Sequence, residues 1–186
     1  MRILGMVACP LLLAAFLCGP QVHVASKVQT KTQPSAAVKD FAQGFYSWYV
    51  PEALKTEEAP AWNVALKYKR DVFSATLFQA LKEDSDAQAK ASGEIVGLDF
   101  DPFLNTQDPC DGYVVGTVTS QGAGYRIDVY GVCSGKRDER PDVVAEVARQ
   151  GGSWVFTNFL YPAIHTDLLG TLKTLREERQ KAKHSR

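Results

Sequence analysis

Two short glycine turns constrain the fold more than any other feature of this chain. Gly122-Ala123-Gly124 and Gly151-Gly152 each lie between runs rich in valine and aromatic residues, which are typical of β-strands. A turn this short folds its flanking strands into an antiparallel hairpin. The sequence therefore predicts an antiparallel meander of four strands: Tyr113–Ser120, Tyr125–Cys133, Val143–Arg149 and Trp154–Tyr161.

The first of these turns also predicts a register for its hairpin. If the chain reverses between Gly122 and Ala123, the numbers of facing residues add up to 245, and those of Cys110 and Cys133 add up to 243. The two cysteines are then nearly opposite, with an offset that a β-bulge or the region of Pro109 would absorb. We predict a Cys110–Cys133 disulfide, which closes a loop of about two dozen residues and contributes about 3 kcal/mol.

The N-terminus has the features of a secretory signal peptide. Arg2 supplies a positive start, residues 3–17 carry no charge, and small residues follow at Ala25 and Ser26. The apolar run is shorter than the roughly 20 residues that a membrane-spanning helix needs. We expect residues 1–25 to be removed by cleavage before Ser26 or one residue later, which leaves no membrane span.

Cleavage of the signal would leave two cysteines in the mature chain. Cys9 and Cys18 lie in the removed segment, so Cys110 and Cys133 remain in an oxidising compartment where disulfides persist. We therefore expect a periplasmic or secreted protein. On its pattern, the rest of the chain divides into a polar tether (26–34), a single α+β domain (35–175) and a charged tail (176–186).

Helical periodicity dominates the first half of the mature chain. Apolar residues at three- and four-residue steps predict a first helix that ends or kinks at Pro51. Its stripe consists of Val38, Phe41, Phe45, Trp48 and Tyr49. A shorter helix is predicted from Ala61 or Trp62 to about Lys69. A third begins at a Ser74 cap, and its later part, Glu83–Lys90, is expected to face water or fray.

A terminal helix completes the predicted fold. Its apolar stripe runs from Ile164 to Leu175, after which the chain is almost entirely polar. Helices before and after a meander indicate an α+β fold. We predict N-terminal helices packed on a curved antiparallel sheet of four to five strands, plus this C-terminal helix.

The charges and histidines argue against several kinds of site. Lys and Arg number 21, as do Asp and Glu, whereas a nucleic-acid-binding protein needs a basic face. His23 would leave with the signal and His184 lies in the tail. A lone His165 offers no material for a catalytic triad or a zinc site. We therefore expect no nucleic acid, no metal and no cofactor.

Acidic and amide residues are frequent between Asp99 and Asp111. Such loops can bind calcium, but the spacing does not match the helix-loop-helix calcium motif. Asp and Asn in turns commonly accept hydrogen bonds from their own backbone, and we favour that interpretation. An alternative is that Asp99 and Asp101 share one face of a short strand that includes Ile95–Phe100. One of them could then act as a general base if burial raised its pKa.

The segment from Gly97 to Phe103, Gly-Leu-Asp-Phe-Asp-Pro-Phe, resembles part of a family of exported bacterial domains of uncharacterised function. Further similarities are Gln107-Asp108, the aromatic first helix, Gly152-Ser153-Trp154 and Tyr161-Pro162. That family looks like members of the nuclear-transport-factor-2-like, or cystatin-like, superfamily. The resemblance implies a curved sheet wrapped around a long N-terminal helix, and no catalytic residues carry over from it to this chain.

Three functions are compatible with the sequence, and we favour the first. The first is a non-catalytic binding module for a small molecule, in a pocket lined by Trp48, Tyr49, Tyr130 and Trp154. The second is an inhibitor or immunity-like protein that binds a periplasmic protein through residues 134–142. The third is an isomerase- or hydrolase-type enzyme that uses an Asp base. A fold of this kind cannot select among them.

Overall fold

The computed structural model describes residues 34–55, 60–91 and 96–185. They contain four α-helices and an antiparallel sheet. These residues belong to one compact unit. The helices are α1 (Pro34–Ala53), α2 (Asn63–Tyr68), α3 (Ala75–Lys90) and α4 (Leu168–His184). The predicted signal peptide and nearly all of the tether lie outside the described residues. No described helix has the length and apolar character needed to cross a membrane.

The sheet contains the four predicted strands and two very short ones. In chain order the strands are β1 (Gly112–Gln121), β2 (Gly124–Cys133), β3 (Lys136–Arg137), β4 (Val143–Gln150), β5 (Ser153–Tyr161) and β6 (Thr166–Asp167). Their spatial order is β1-β2-β4-β5-β6, with β3 paired to the end of β2. The predicted α+β fold is confirmed, and each long strand lies within one residue of its predicted bounds. The extra strand β3 arises because Ser134 and Gly135 have positive φ and turn the chain back onto β2.

The predicted register holds from the turn as far as a β-bulge. The numbers of paired residues add up to 245 between Gln121↔Gly124 and Val118↔Ile127, and to 244 between Val115↔Val129 and Gly112↔Val132. The bulge between Val115 and Val118 accounts for this shift of one residue. The two cysteines are offset by one further residue, and this second shift arises before β1 begins, between Cys110 and Gly112. Cys110 and Cys133 form the predicted disulfide, with their Cα atoms 4.6 Å apart.

Helix α1 lies against the sheet and fills the interior with aromatic rings. The ring of Phe45 is within 6 Å of five other rings, and 5.0 Å from that of Phe156 on β5. These five belong to Tyr46, Tyr49, Phe73, Phe103 and Phe156. The predicted stripe is thus the core-facing side of α1, and Pro51 lies in the last turn of the helix. Packing of this kind leaves the space between helix and sheet occupied by side chains.

A side chain of α1 also binds the outer edge of β1. The Gln43 amide accepts a hydrogen bond from the N–H of Val115 at 2.9 Å and donates one to the carbonyl of Tyr113 at 3.1 Å. Both backbone groups point away from β2. The amide of Gln43 therefore pairs with the strand edge as a neighbouring strand would.

Helices α3 and α4 are joined by a buried ion pair, although the end of α3 is predicted to be exposed. Asp84 is fully buried, and its Oδ1 lies 2.6 Å from Nη1 of Arg179, which is 16% exposed. Arg176 pairs with Glu83 at 3.0 Å. The prediction that residues 83–90 face water or fray is wrong for Asp84, which is buried, and for the helix, which continues to Lys90. These residues remain helical because α4 covers one side of them, and α4 itself continues past Leu175 to His184.

Candidate functional site

The loop between α3 and β1 carries the candidate site, and α3 holds its first part. Oδ2 of Asp84 accepts a hydrogen bond from the N–H of Leu98 at 2.9 Å, and Nε2 of Gln88 donates to the carbonyl of Leu98 at 2.9 Å. A Cβ on Gly97 would collide with both of these side chains. Residues 96–100 are loop rather than the predicted strand, because their backbone groups bind α3 and α4 side chains instead of a neighbouring strand.

Three buried tyrosines anchor the next turn of this loop. The hydroxyl of Tyr49 donates to Oδ2 of Asp101. The hydroxyls of Tyr46 and Tyr161 donate to the carbonyls of Phe103 and Pro102, at 3.1 and 2.9 Å. Two of the tyrosines belong to α1 and the third to β5. The aromatic core therefore ends in hydroxyl groups that fix the position of residues 101–103.

Asp101 is 8% exposed and organises the turn through its side chain and its backbone. Its Oδ1 accepts from the N–H groups of Phe103 and Leu104 at 2.9 and 3.1 Å. Its backbone N–H donates to the carbonyl of Thr106 at 2.8 Å, and Asn105 adopts a positive φ of 55° to close the turn. Asp101 thus caps its own loop, as predicted for the acidic residues of this segment.

The position of Asp101 changes its acidity and that of Tyr49. Burial raises the pKa of Asp101 to about 6, although the hydrogen bonds from Tyr49, Phe103 and Leu104 oppose this effect. Burial also raises the pKa of Tyr49 well above its ordinary value, and the nearby carboxyl of Asp101 raises it further. At neutral pH the pair is therefore a carboxylate and a neutral phenol.

A surface groove of about 560 Å³ lies beside this turn, and we call it the Asp101 groove. It is bounded by the ends of α1 and α3, the residues before α2, and the loop from Leu98 to Pro109. Its walls are Ala53, Pro60, Ala61, Trp62, Gln88, Leu98, Asp99, Phe100, Asp101, Thr106, Gln107 and Pro109. The groove combines an apolar surface with a few polar groups in fixed positions, which is typical of ligand sites.

Both predicted aspartates line this groove, but in different environments. Asp99 is exposed, whereas Asp101 is buried. They lie in a loop, so the alternative in which they share one strand face is wrong. Among the described residues, no three His, Cys, Asp or Glu side chains come together as a metal site.

The four aromatic residues predicted to line a pocket are not brought together as one site. Tyr49 lies in the core, while Tyr130 points to the sheet face opposite Val129. Trp154 lies at the hairpin end of β5, where its ring contacts the ring of Tyr125. The guanidinium of Arg149 lies over the face of Trp154. Lys69 lies over Trp48, and Arg137 over Tyr130. Cations therefore cover the three rings that reach the surface.

The charged connection after β2 is exposed, and none of its residues is among those that line the Asp101 groove. Residues 134–140 are all exposed. Oδ2 of Asp142 accepts a hydrogen bond from the N–H of Gly131 at 2.6 Å, which fixes the end of this connection on β2. Burial and the neighbouring charge of Asp138 raise the pKa of Asp142. A role in protein recognition for this connection stays a prediction.

Sequence reasoning missed most of the groove wall. Trp62 and Gln88 lie far from Asp101 in the chain, and no local pattern relates them to it. The available signal was the Gly97–Phe103 segment, whose dense Asp, Pro and Gly content marked a special loop. Comparison with family models, curated proteins and solved structures found no match to this chain.

Proposed function

We propose that this chain is an exported binding module without catalytic activity, held by its disulfide, that binds a small molecule in the Asp101 groove. The disulfide and the signal-like N-terminus support export. The observation that carries the binding role is the anchoring of residues 101–103, the turn that places Asp101 in the groove wall, by three buried tyrosine hydroxyls. A wall fixed before binding loses little conformational entropy when a ligand arrives.

The packing of the interior supports this location over a pocket enclosed between α1 and the sheet. Aromatic rings fill that space around Phe45, whereas the Asp101 groove opens at the surface. We also propose membership in the exported bacterial family with a nuclear-transport-factor-2-like fold. A long first helix lying on an antiparallel sheet supports that assignment.

The binding role is tested by identifying a ligand and locating it. The mature protein, purified from a bacterial periplasm, is examined by native mass spectrometry for a bound molecule. A fragment library is screened in parallel by amide chemical shifts. We expect shifts at Leu98, Phe100 and Gln107, and we expect Ala61→Trp, which fills the groove, to abolish them.

Ala182→Trp provides a matched control, because Ala182 is exposed near the end of α4 and far from the groove wall in sequence. This variant should bind like the wild type. Ligands that shift only residues outside the groove, or that bind Ala61→Trp unchanged, would contradict the proposal.

A second candidate function has a specific observation in its favour. Asp101 lines a groove beside the phenol of Tyr49, and its pKa of about 6 suits a general base. Three donors already occupy the carboxylate, however, and its exposed fraction is small. Turnover of a bound compound that Asp101→Asn still binds but no longer converts would favour the enzyme over the binding module.

A further inference from the structure

The charges that line the Asp101 groove all have one sign. Asp99 and Asp101 are its ionisable residues, and no Lys, Arg or His is among the described residues that line it. The chain as a whole is neutral, so this excess of negative charge is local. A concave surface with one sign of charge focuses its field on an occupant of the opposite sign.

Neither carboxylate has a cationic partner in the described part of the chain. The donors to Asp101 are a phenol and two backbone N–H groups, which carry no net charge. The exposed carboxylate of Asp99 makes no hydrogen bond or ion pair with any described residue; only its backbone carbonyl is bound, by Gln107. Asp84 on α3 is by contrast paired with Arg179.

The rest of the groove wall is largely apolar, and one of its residues has a buried polar atom without a partner. Leu98, Phe100 and Pro109 present carbon atoms, and the ring of Phe100 is held edge-on against Tyr161 at 5.5 Å. Trp62 is 1% exposed, and its indole N–H has no acceptor among the described residues. An occupant with an apolar body would pack against this wall, and a bare metal ion would not use it.

We infer that the Asp101 groove binds a small organic cation, an ammonium or guanidinium group attached to an apolar body. The cationic group pairs with Asp99 at the rim, and the apolar body packs on Phe100. The charge of Asp101 below adds to the attraction. This inference rests on the proposed binding function and specifies the chemistry of its ligand.

The test compares three probes that share one apolar body: 2-phenylethylamine, 2-phenylethanol and phenylacetate. Each is titrated into the mature protein at neutral pH and low salt, and amide shifts of residues 98–107 are followed. We expect the amine to bind most tightly and the carboxylate most weakly. Added salt should weaken the binding of the amine and leave the binding of the alcohol unchanged.

Two variants separate a specific ion pair from general charge. Asp99→Asn should lower the affinity for the amine about fivefold, the effect of one exposed ion pair, and leave the affinity for the alcohol unchanged. Asp108→Asn removes the same charge from the same loop, outside the groove wall, and should have no such effect. Equal weakening by the two variants would contradict the inference.

The outcomes also separate this inference from the proposed function. If the alcohol or the carboxylate binds at the groove as tightly as the amine, the cation inference is wrong and the binding module stands. The same holds if none of the probes shifts the groove amides while native mass spectrometry finds another ligand there. If neither experiment places any molecule in the groove, both proposals fail.

Discussion

Asp101 is a carboxyl group whose two oxygens have different partners. One oxygen accepts from two backbone N–H groups, as an ordinary turn cap does, and the other accepts from the phenol of Tyr49. Burial raises its pKa from 3.8 to about 6 despite these three bonds. The folded protein therefore holds this proton more tightly than the unfolded chain does.

This shift predicts a definite dependence of stability on pH. The contribution of Asp101 is fully present below about pH 4 and is lost as pH rises through about 6, a loss of about 3 kcal/mol for two pKa units. Asp101→Asn removes the titration, and its amide keeps an oxygen for the N–H groups of Phe103 and Leu104. We expect the variant to gain about 3 kcal/mol relative to the wild type between pH 4 and pH 7.

Urea unfolding across that range measures the difference, in which other titrating groups largely cancel. Asp108→Asn is the control, since Asp108 is an exposed residue of the same loop. This variant should not show the gain in stability expected for Asp101→Asn. Parallel curves for the wild type and Asp101→Asn would show that Asp101 does not titrate in this range.

At the scale of elements, α3 and α4 are connected by one buried and one exposed ion pair. Asp84 receives Arg179 on one oxygen and the N–H of Leu98 on the other. Arg179 also donates to the carbonyl of Val96 at 2.9 Å. The same pair thus joins two helices and positions the start of the loop that forms the Asp101 groove.

Loss of the arginine from the buried pair should lower the free energy of unfolding far more than loss of the arginine from the exposed pair. Arg179→Ala leaves the Asp84 charge buried without a cation, and we expect it to lower the free energy of unfolding by about 3–5 kcal/mol. Arg176→Ala removes an arginine from the same helix whose partner Glu83 is about 41% exposed, and should cost at most about 1 kcal/mol.

A double variant identifies the origin of this cost. Adding Asp84→Asn to Arg179→Ala removes the uncompensated charge but keeps an acceptor for Leu98. The double variant should therefore be more stable than Arg179→Ala alone in chemical denaturation. If Arg179→Ala and Arg176→Ala have equal effects, the pair at Asp84 has no special role.

The elements were easier to predict than their contacts. Valine-rich runs on both sides of the turns at Gly122 and Gly151 predict the strands, because period and turn chemistry are local properties. The contacts of Tyr49 with Asp101 and of Asp84 with Arg179 join residues 52 and 95 positions apart. No periodic pattern encodes such pairs. The sequence predicts a charged tail where α4 continues to His184 for the same reason, since the partners of Arg176 and Arg179 lie on another helix.

At the scale of the whole molecule, the disulfide ties the loop that follows the groove to the end of β2. Cys110 lies next to the groove residue Pro109, and Cys133 ends β2. The bond closes a loop with a sequence separation of 23 residues. It therefore links the loop next to the candidate site to the end of β2.

Replacing both cysteines by serine should lower the free energy of unfolding by about 3 kcal/mol, because the unfolded chain regains the freedom of the open loop. Guanidinium unfolding of residues 26–186 under non-reducing conditions measures this. Reductant should destabilise the wild type by a similar amount and leave the double serine variant unchanged. A reductant effect of equal size in both proteins would point to a cause other than this bond.

The amide of Gln43 on the edge of β1 has a consequence for association between copies of the chain. An uncovered strand edge offers free N–H and C=O groups to which strands of other molecules can add, a common route to aggregation. Here the groups of Tyr113 and Val115 are already bonded to a helix of the same chain. This part of the sheet is thereby closed to intermolecular growth by a single side chain.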